Sequence, residues 1–441
     1  MQSPPPPAAP RSQCPHAAAG LADWCDPAIW SGQGVPLGGG ADVTVPAGAP
    51  VLLSACCLPA GAAFGRITIP AGAALVLSDS PLNFSARGVV VRGALTAGSP
   101  TCRLRSAIAI TLVGSRPAPL QEARASSDAY AKGIVVEAGG ALDLHGELFA
   151  PTWTRLAAAA AAGDRWIFTQ QQLNWEPGQT FIVTTTAVKD ARDYSETEER
   201  VIAEVRSLAG GMGAVRFEPP LNHSHYAGVE YQAEVALLSR RLTVAGAAAD
   251  SPPTDAVAGL CPVPAVAAGQ FSAGLPCPNA SLTGYGGHIM VAGQSSSGRL
   301  SGVLLHRMGQ TNYLARYPFH MHMLGTGGLQ SYITGSAIWQ SYYRCVSIHG
   351  TNSSTVSTNV AHDVVGYCYY LEDGVEENNT IANNLASLVH PLFDGARNYF
   401  AASGVGQSQE FFQNVETSST LLLPADATAS GYYIVRQRSH C

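Results

Sequence analysis

The sequence has little charge of either sign. Charged residues make up 13% of its 441 positions, against about 25% in an ordinary soluble domain. The net charge of −6 gives no long-range attraction for nucleic acid or anionic membranes, and no basic-aromatic interleaving suggests either partner. No apolar run reaches the ~20 residues needed to cross a bilayer. The longest candidate, Leu156 to Gly163, is an alanine tract ended by Asp164. No CxxC pair occurs, which argues against a zinc ribbon. P-loop, GxSxG, Rossmann and HExxH signatures are all missing. The opening MQSPPPPAAPRSQCPH has no apolar core and does not read as a signal peptide; the expectation is that a true start precedes it.

What is present is turn chemistry and short apolar runs. There are 46 glycines and 29 prolines, which disfavour long helices. Residues 1–26 read as a Pro-rich disordered arm. From Trp30 onward, runs such as Val51–Leu53, Ala74–Leu77, Ile108–Leu112, Ile134–Val136 and Ala141–Leu144 alternate with Gly and Pro breaks. The phrases VPAGAPVLL, IPAGAALVL and VEAGGALDL are near-copies, each reading strand, glycine turn, strand. Such repetition marks a solenoid rather than a sandwich. Residues 151–250 form a β-rich connecting segment that includes the acidic stretch DARDYSETEER, expected to be exposed. Residues 251–283, rich in Ala, Pro and Ser, read as a loop excursion closed by Cys261 and Cys277.

Residues 284–441 carry the sharpest signal. CVSIHGT at 345–351 and CYYLEDG at 368–374 lie one plausible coil apart. Alternate strand residues face opposite sides. Val346, Ile348, Tyr369 and Leu371 are therefore expected inward. Cys345, Ser347, His349, Cys368, Tyr370 and Glu372 are expected outward. PFHMHML at 318–324 follows the same parity, with Phe319, Met321 and Met323 inward and His320 and His322 outward. Neighbouring parallel strands lie about 4.8 Å apart, within disulfide reach, so Cys345 and Cys368 are predicted to bridge adjacent rungs. Asn352, Asn359, Asn378, Asn379, Asn383 and Asn384 fall at expected corners, where stacked ladders are the structural reading.

One outer wall would then bear His320, His322, His349, Glu372 and Asp373. Such a row can serve as general acid and base on a glycan. His320 and His322, with a nearby carboxylate, can also chelate a divalent metal ion. Ordinary surface histidines would give the same pattern. Arg316, Tyr317 and Tyr370 are candidate substrate-binding residues beside the row, and Arg316 fits a structural ion pair equally well. His288, His306 and the His362–Asp363 pair are weaker candidates. His145 and Trp153 read as packing residues. Ten cysteines and five Asn-x-Ser/Thr sequons, at Asn83, Asn222, Asn279, Asn352 and Asn378, favour an extracellular or cell-surface setting.

The stretches PAIWSGQGVPLGGGADVTVPAGAPVLL and AGGALDLHG resemble the G8 domain, placed here at 27–150. GGHIMV, MGQTNYLARYPFHMHMLG and RCVSIHGTNSSTVSTNVAHDVVGYCYYLEDG resemble the β-helix of fibrocystin-L and of the cell-migration-inducing hyaluronan-degrading proteins. The resemblance implies an all-β chain: a right-handed parallel β-helix preceded by the G8 region. It also implies an extracellular partner, a polysaccharide or a glycoprotein glycan. Two functions are implied: a hyaluronidase-like hydrolase or lyase, or a non-catalytic coat protein of fibrocystin-L type. LLLPADATASGYYI resembles a mid-domain phrase, so the sequence is expected to be a fragment of a longer solenoid.

Overall fold

The computed structural model describes residues 8, 10–115, 128–187, 195–251, 284–311, 313, 315–390 and 430–434. Among them the only helices are 3-10 turns of three to five residues. The rest is strand and turn, as the glycine and proline content requires.

The backbone winds as a parallel β-helix whose coils supply strands to three walls. The first wall is a nine-stranded sheet that runs from Ala22–Asp23 through Val51–Leu53, Ala74–Leu77 and Ala141–His145 to Thr380–Ala382. The second and third walls belong to one fifteen-stranded sheet. They are joined where Leu82–Val91 pairs with Ile108–Leu112 through its first half and with Gly133–Val136 through its second. The second wall continues to Leu385–His390. The third passes through His288–Ala292, Phe319–Gly325, Val346–Thr351 and Tyr369–Leu371 to Tyr432–Ile434.

The solenoid is continuous across the expected G8 boundary. Ala141–His145 pairs in parallel with Ser297–Ser301, and one hydrophobic core extends from Trp24 to Leu371. The G8 stretch and the later rungs therefore share a single interior rather than two. The N-terminal arm also differs from expectation. Cys14–Cys102 and Cys25–Cys57 disulfides tether it, Trp24 is fully buried, and Ala22–Asp23 joins the first wall. Cysteine spacing alone could not reveal those pairings.

The connecting segment is a six-stranded antiparallel sheet inserted between His145 and Leu242. One face packs around Phe149, Ile167, Phe181 and Phe217. The other lays Ile182, Ala236 and Leu238 on Val360, Trp339 and Leu385 of the second wall. Part of the supposedly exposed acidic stretch is buried here. Glu198 pairs with Arg200 and accepts hydrogen bonds from the Asn222 and His223 amides, while His225 Nε2 lies 3.1 Å from it. Those partners replace water around the carboxylate. The excursion between Ser251 and Gly284, with Cys261 and Cys277, lies outside the described residues. Its flanks meet at buried Lys132, whose ammonium donates to Ser251 Oγ at 2.8 Å and to the Tyr285 carbonyl at 2.6 Å.

Register follows the inward pattern. Phe319 pairs with Val346 and Val346 with Tyr369. The Cys345–Cys368 disulfide joins those rungs across a Cα separation of 4.5 Å. Both cysteines lie in the core rather than on the outer wall, because each sits at the corner before its strand, where alternation has not begun. Met323 departs as well. It adopts φ 54°, the register shifts after His322, and Leu324 takes the buried position instead. Met323 is left half-exposed.

The corner asparagines form the expected ladder. Asn384 Oδ1 accepts from the Asn359 backbone and side chain, at 3.0 and 2.9 Å. Asn359 Nδ2 also donates to the Ile333 carbonyl, and its Oδ1 accepts from Ser336 N. Removing this amide strands buried donors and acceptors, at about 1–3 kcal/mol. Asn359→Ala should therefore lower the urea midpoint, followed by circular dichroism, whereas Asn222→Ala on the exposed surface should shift it little.

Neutral histidines, two buried and one half-buried, set an acid limit. Burial holds His145 and His288 at about 3 and His306 at about 4, below the ordinary 6.5. The unfolded chain then binds more protons than the folded one between those values and 6.5. Stability is complete above about pH 6.5 and falls as pH drops, by about 1.4 kcal/mol per unit for each such histidine. Urea midpoints at pH 7, 6 and 5 should decline, and less steeply in His145→Gln.

Candidate functional site

The site grows from the third wall. In Phe319–Gly325, Phe319 and Met321 fill the core, so His320 and His322 project to the opposite side. His322 lies opposite His349 and His320 opposite Ser347, which in turn pairs with Tyr370. Glu372 follows Leu371 at the end of the third rung, where its amide donates to the Ile348 carbonyl.

This wall is roofed rather than open. The connection ending at Tyr317 folds across it: His320 Nδ1 meets the Ala315 carbonyl at 3.1 Å, and the Tyr317 ring sits 4.9 Å from the His320 ring. His320 and Glu372 are consequently buried, His322 and His349 are half-buried, and Asp373 is exposed. The expectation of an exposed row is corrected in that respect. Strand parity fixed which way these side chains point, but a loop decides what covers them.

The geometry converges. His322 Nδ1 and His349 Nδ1 are 3.0 Å apart. One donor nitrogen from each of His320, His322 and His349 lies within 4.8 Å of the others. Glu372 Oε2 is 3.9 Å from both His320 Nε2 and His349 Nδ1, and accepts a 2.7 Å hydrogen bond from Ser347 Oγ. On the outer side, His349 Nε2 lies 3.1 Å from Asp373 Oδ2.

These contacts orient the rings. The Ala315 carbonyl can only accept, so His320 carries its proton on Nδ1 and a lone pair on Nε2. That Nε2 is buried without a hydrogen-bond partner and faces the cluster. Burial first, then the neighbouring His322, holds the ring far below its ordinary value, so it is neutral at pH 7. Asp373 lies on the Nε2 side of His349, which turns Nδ1 inward toward His322 Nδ1. Imidazole nitrogens converging beside a carboxylate fit a divalent cation, and a carboxylate or carbonyl on the far ring nitrogen is the usual orienting arrangement.

The three candidate substrate-binding residues are placed differently. Arg316 is buried, donates to Gln310 Oε1 at 3.0 Å and covers the Tyr313 ring. Tyr317 is fully buried and its hydroxyl accepts from Arg344 at 3.1 Å. Tyr370 lies beneath Arg344, with the guanidinium 4.2 Å from its ring centre. None of the three faces open solvent: Arg316 and Tyr317 lie in the roofing connection and turn into the protein, and Tyr370 is covered by Arg344. Arg344 is the residue that sequence reasoning missed. It is buried among Tyr317, Tyr343, Tyr367 and Tyr370. Its one signal was a cation directly after two tyrosines, Tyr342 and Tyr343, in a sequence poor in charge. The weaker candidates lie elsewhere. His288 is buried under the Gln310 side chain. On the second wall His306 stacks on Trp339, His362 meets Glu199, and Asp363 meets His390.

Comparison with known proteins agrees with the fold. The G8 domain model matches residues 29–157 and the CEMIP β-helix model matches 284–438. Protein rliB of Dictyostelium discoideum is 37% identical over 96% of this chain and 33% of its own length. Communication mutant protein F of the same organism is 35% identical over 96% of this chain and 34% of its own. Human fibrocystin-L is 30% identical over 71% of this chain and 8% of its own. The chain thus spans about a third of the Dictyostelium relatives named here and a small part of fibrocystin-L. A Pseudomonas phage phi297 tailspike, gp61, aligns at 11% identity over 70% of this chain and 40% of its own, with a TM-score of 0.22, too low to carry any argument. With both of its defining regions matched and its solenoid in place, the chain belongs to the G8-domain proteins that carry a CEMIP β-helix.

Proposed function

We propose that this protein acts on an extracellular polysaccharide at a divalent-cation centre formed by His320, His322, His349 and Glu372. The observation that carries the reading is the buried, unpartnered Nε2 of His320, aimed at two further imidazoles and a carboxylate. Such an atom is costly to leave bare, and a cation satisfies it. The family likeness supports a glycan as the ligand. The disulfides support an oxidising, extracellular setting. Among the described residues no helix is long and apolar enough to cross a membrane.

A bound cation would supply Lewis acidity to a sugar oxygen. The protein residues do the rest. Ala315 fixes the tautomer of His320, and Asp373 orients the ring of His349. Ser347 orients Glu372 through its hydrogen bond. The roof, with Tyr317 backed by Arg344, excludes water from the inner side, so a glycan approaches from the His322–Asp373 side. Asp373 is the exposed carboxylate at that opening. Asp373 is the group that would exchange a proton with the glycan, while His349, held through Nε2 by Asp373, serves the centre through Nδ1.

Untagged protein equilibrated with Zn²⁺ or Mn²⁺ should retain about one equivalent, measured by plasma mass spectrometry after dialysis. His320→Ala and Glu372→Gln should retain none. Ser347→Ala should bind about 10- to 100-fold more weakly, the usual effect of losing an outer-shell partner. Size-exclusion chromatography of acidic and neutral glycans should show shortening by the metal-loaded protein and none by His320→Ala. Undiminished chain length across the whole panel would leave a non-catalytic surface role, the other function the family likeness implies.

A further inference from the structure

A second feature lies where the inserted sheet meets the solenoid. The seam between them forms an open groove of about 590 Å³, lined by Trp153, Arg155, Gln170, Gln171 and Asn383 among others. It is separate from the histidine cluster. Asn383 follows Thr380–Ala382 on the first wall, whereas Glu372 follows Tyr369–Leu371 on the third.

Two of the lining side chains, Trp153 and Gln170, are held in place. Trp153 Nε1 donates to the Asn383 carbonyl at 2.8 Å, which satisfies the ring's one polar atom and fixes its plane. The indole also packs against the small core formed with Val360 and Leu385, so it is half-buried and rigid. Gln170 is clamped by two contacts with the adjoining strand: its amide donates to the Arg155 carbonyl at 2.9 Å and its Nε2 to the Leu156 carbonyl at 3.2 Å. Arg155 reaches Glu234 only at 3.6 Å, with about half of its side chain exposed. Gln171 and Asn383 are exposed amides at the rim.

A fixed indole beside a guanidinium and several amides is the chemistry that recognises a pyranose. The aromatic face meets the apolar C–H face of the ring, and the planar donors and acceptors meet its hydroxyls. The groove is too polar for a lipid chain. The net charge of −6 gives nucleic acid no attraction. We infer that the seam is an oligosaccharide-binding subsite, with Trp153 as its platform and Arg155, Gln171 and Asn383 as its polar contacts. The inference rests on the proposal that a glycan is the ligand, but not on the proposal of catalysis.

The test is calorimetric titration of the full chain with hexagalacturonate, cellohexaose and chitohexaose. At least one should bind. Trp153→Ala should raise its Kd about tenfold or more, as loss of a stacking platform does. Gln171→Ala, at an exposed rim position, should raise it severalfold without moving the thermal midpoint, which separates recognition from folding. Two results would overturn the inference: no hexasaccharide binds, or the one that binds is unaffected by Trp153→Ala and Gln171→Ala. Binding lost only in His320→Ala would place the sugar at the cluster alone and sink the subsite. Seam binding retained in a protein that shortens no glycan would sink the catalytic proposal and leave the subsite standing.

Discussion

The structure depends on register between parallel coils. A parallel ladder fixes which residues lie side by side, and a slip of one position would send every side chain to the opposite face. Here the inward residues set that register. Phe319, Val346 and Tyr369 stack in the core, and the Cys345–Cys368 bridge pins two of their rungs. With those contacts fixed, His322 must stand beside His349 and His320 beside Ser347. The cluster is therefore a by-product of core packing on its other face, and its precision is inherited from the core.

What the register cannot do is bury the cluster. The roof comes from the connection between Val303–His306 and Phe319–Gly325, through the Ala315 carbonyl and the Tyr317 ring. Its effect is chemical as well as steric. It orients His320, keeps that ring neutral, and leaves Nε2 bare inside. On an open wall His320 would be a hydrated ring with two competing tautomers; under the roof the Ala315 carbonyl selects one.

The sequence was most legible where a period exists. The alternation in PFHMHML and the match between CVSIHGT and CYYLEDG exposed the wall, its facing and the rung-bridging disulfide. The corner asparagines exposed the ladder. Legibility failed where structure depends on contacts without a period. The exposure of Met323 follows from a left-handed backbone position and a register shift that no alternation rule contains. Tyr370, expected outward from the strand pattern, is covered by Arg344, and Arg316, expected beside the row, is buried against Gln310 and Tyr313. The docking of the inserted sheet on Val360 and Leu385, and with it the Trp153 seam, needs the insert's own fold before it can be seen. The tether at Cys14 needed knowledge of its distant partner, Cys102.

The central claim is that three imidazoles and a carboxylate from successive coils converge on one point. X-ray absorption spectroscopy of protein loaded with one equivalent of Zn²⁺ tests it most directly. The account predicts a first shell with imidazole multiple scattering from about three nitrogen ligands near 2.0 Å, the ordinary Zn–N distance, and its loss in His322→Ala with His349→Ala. A shell of oxygen ligands without imidazole scattering would contradict it.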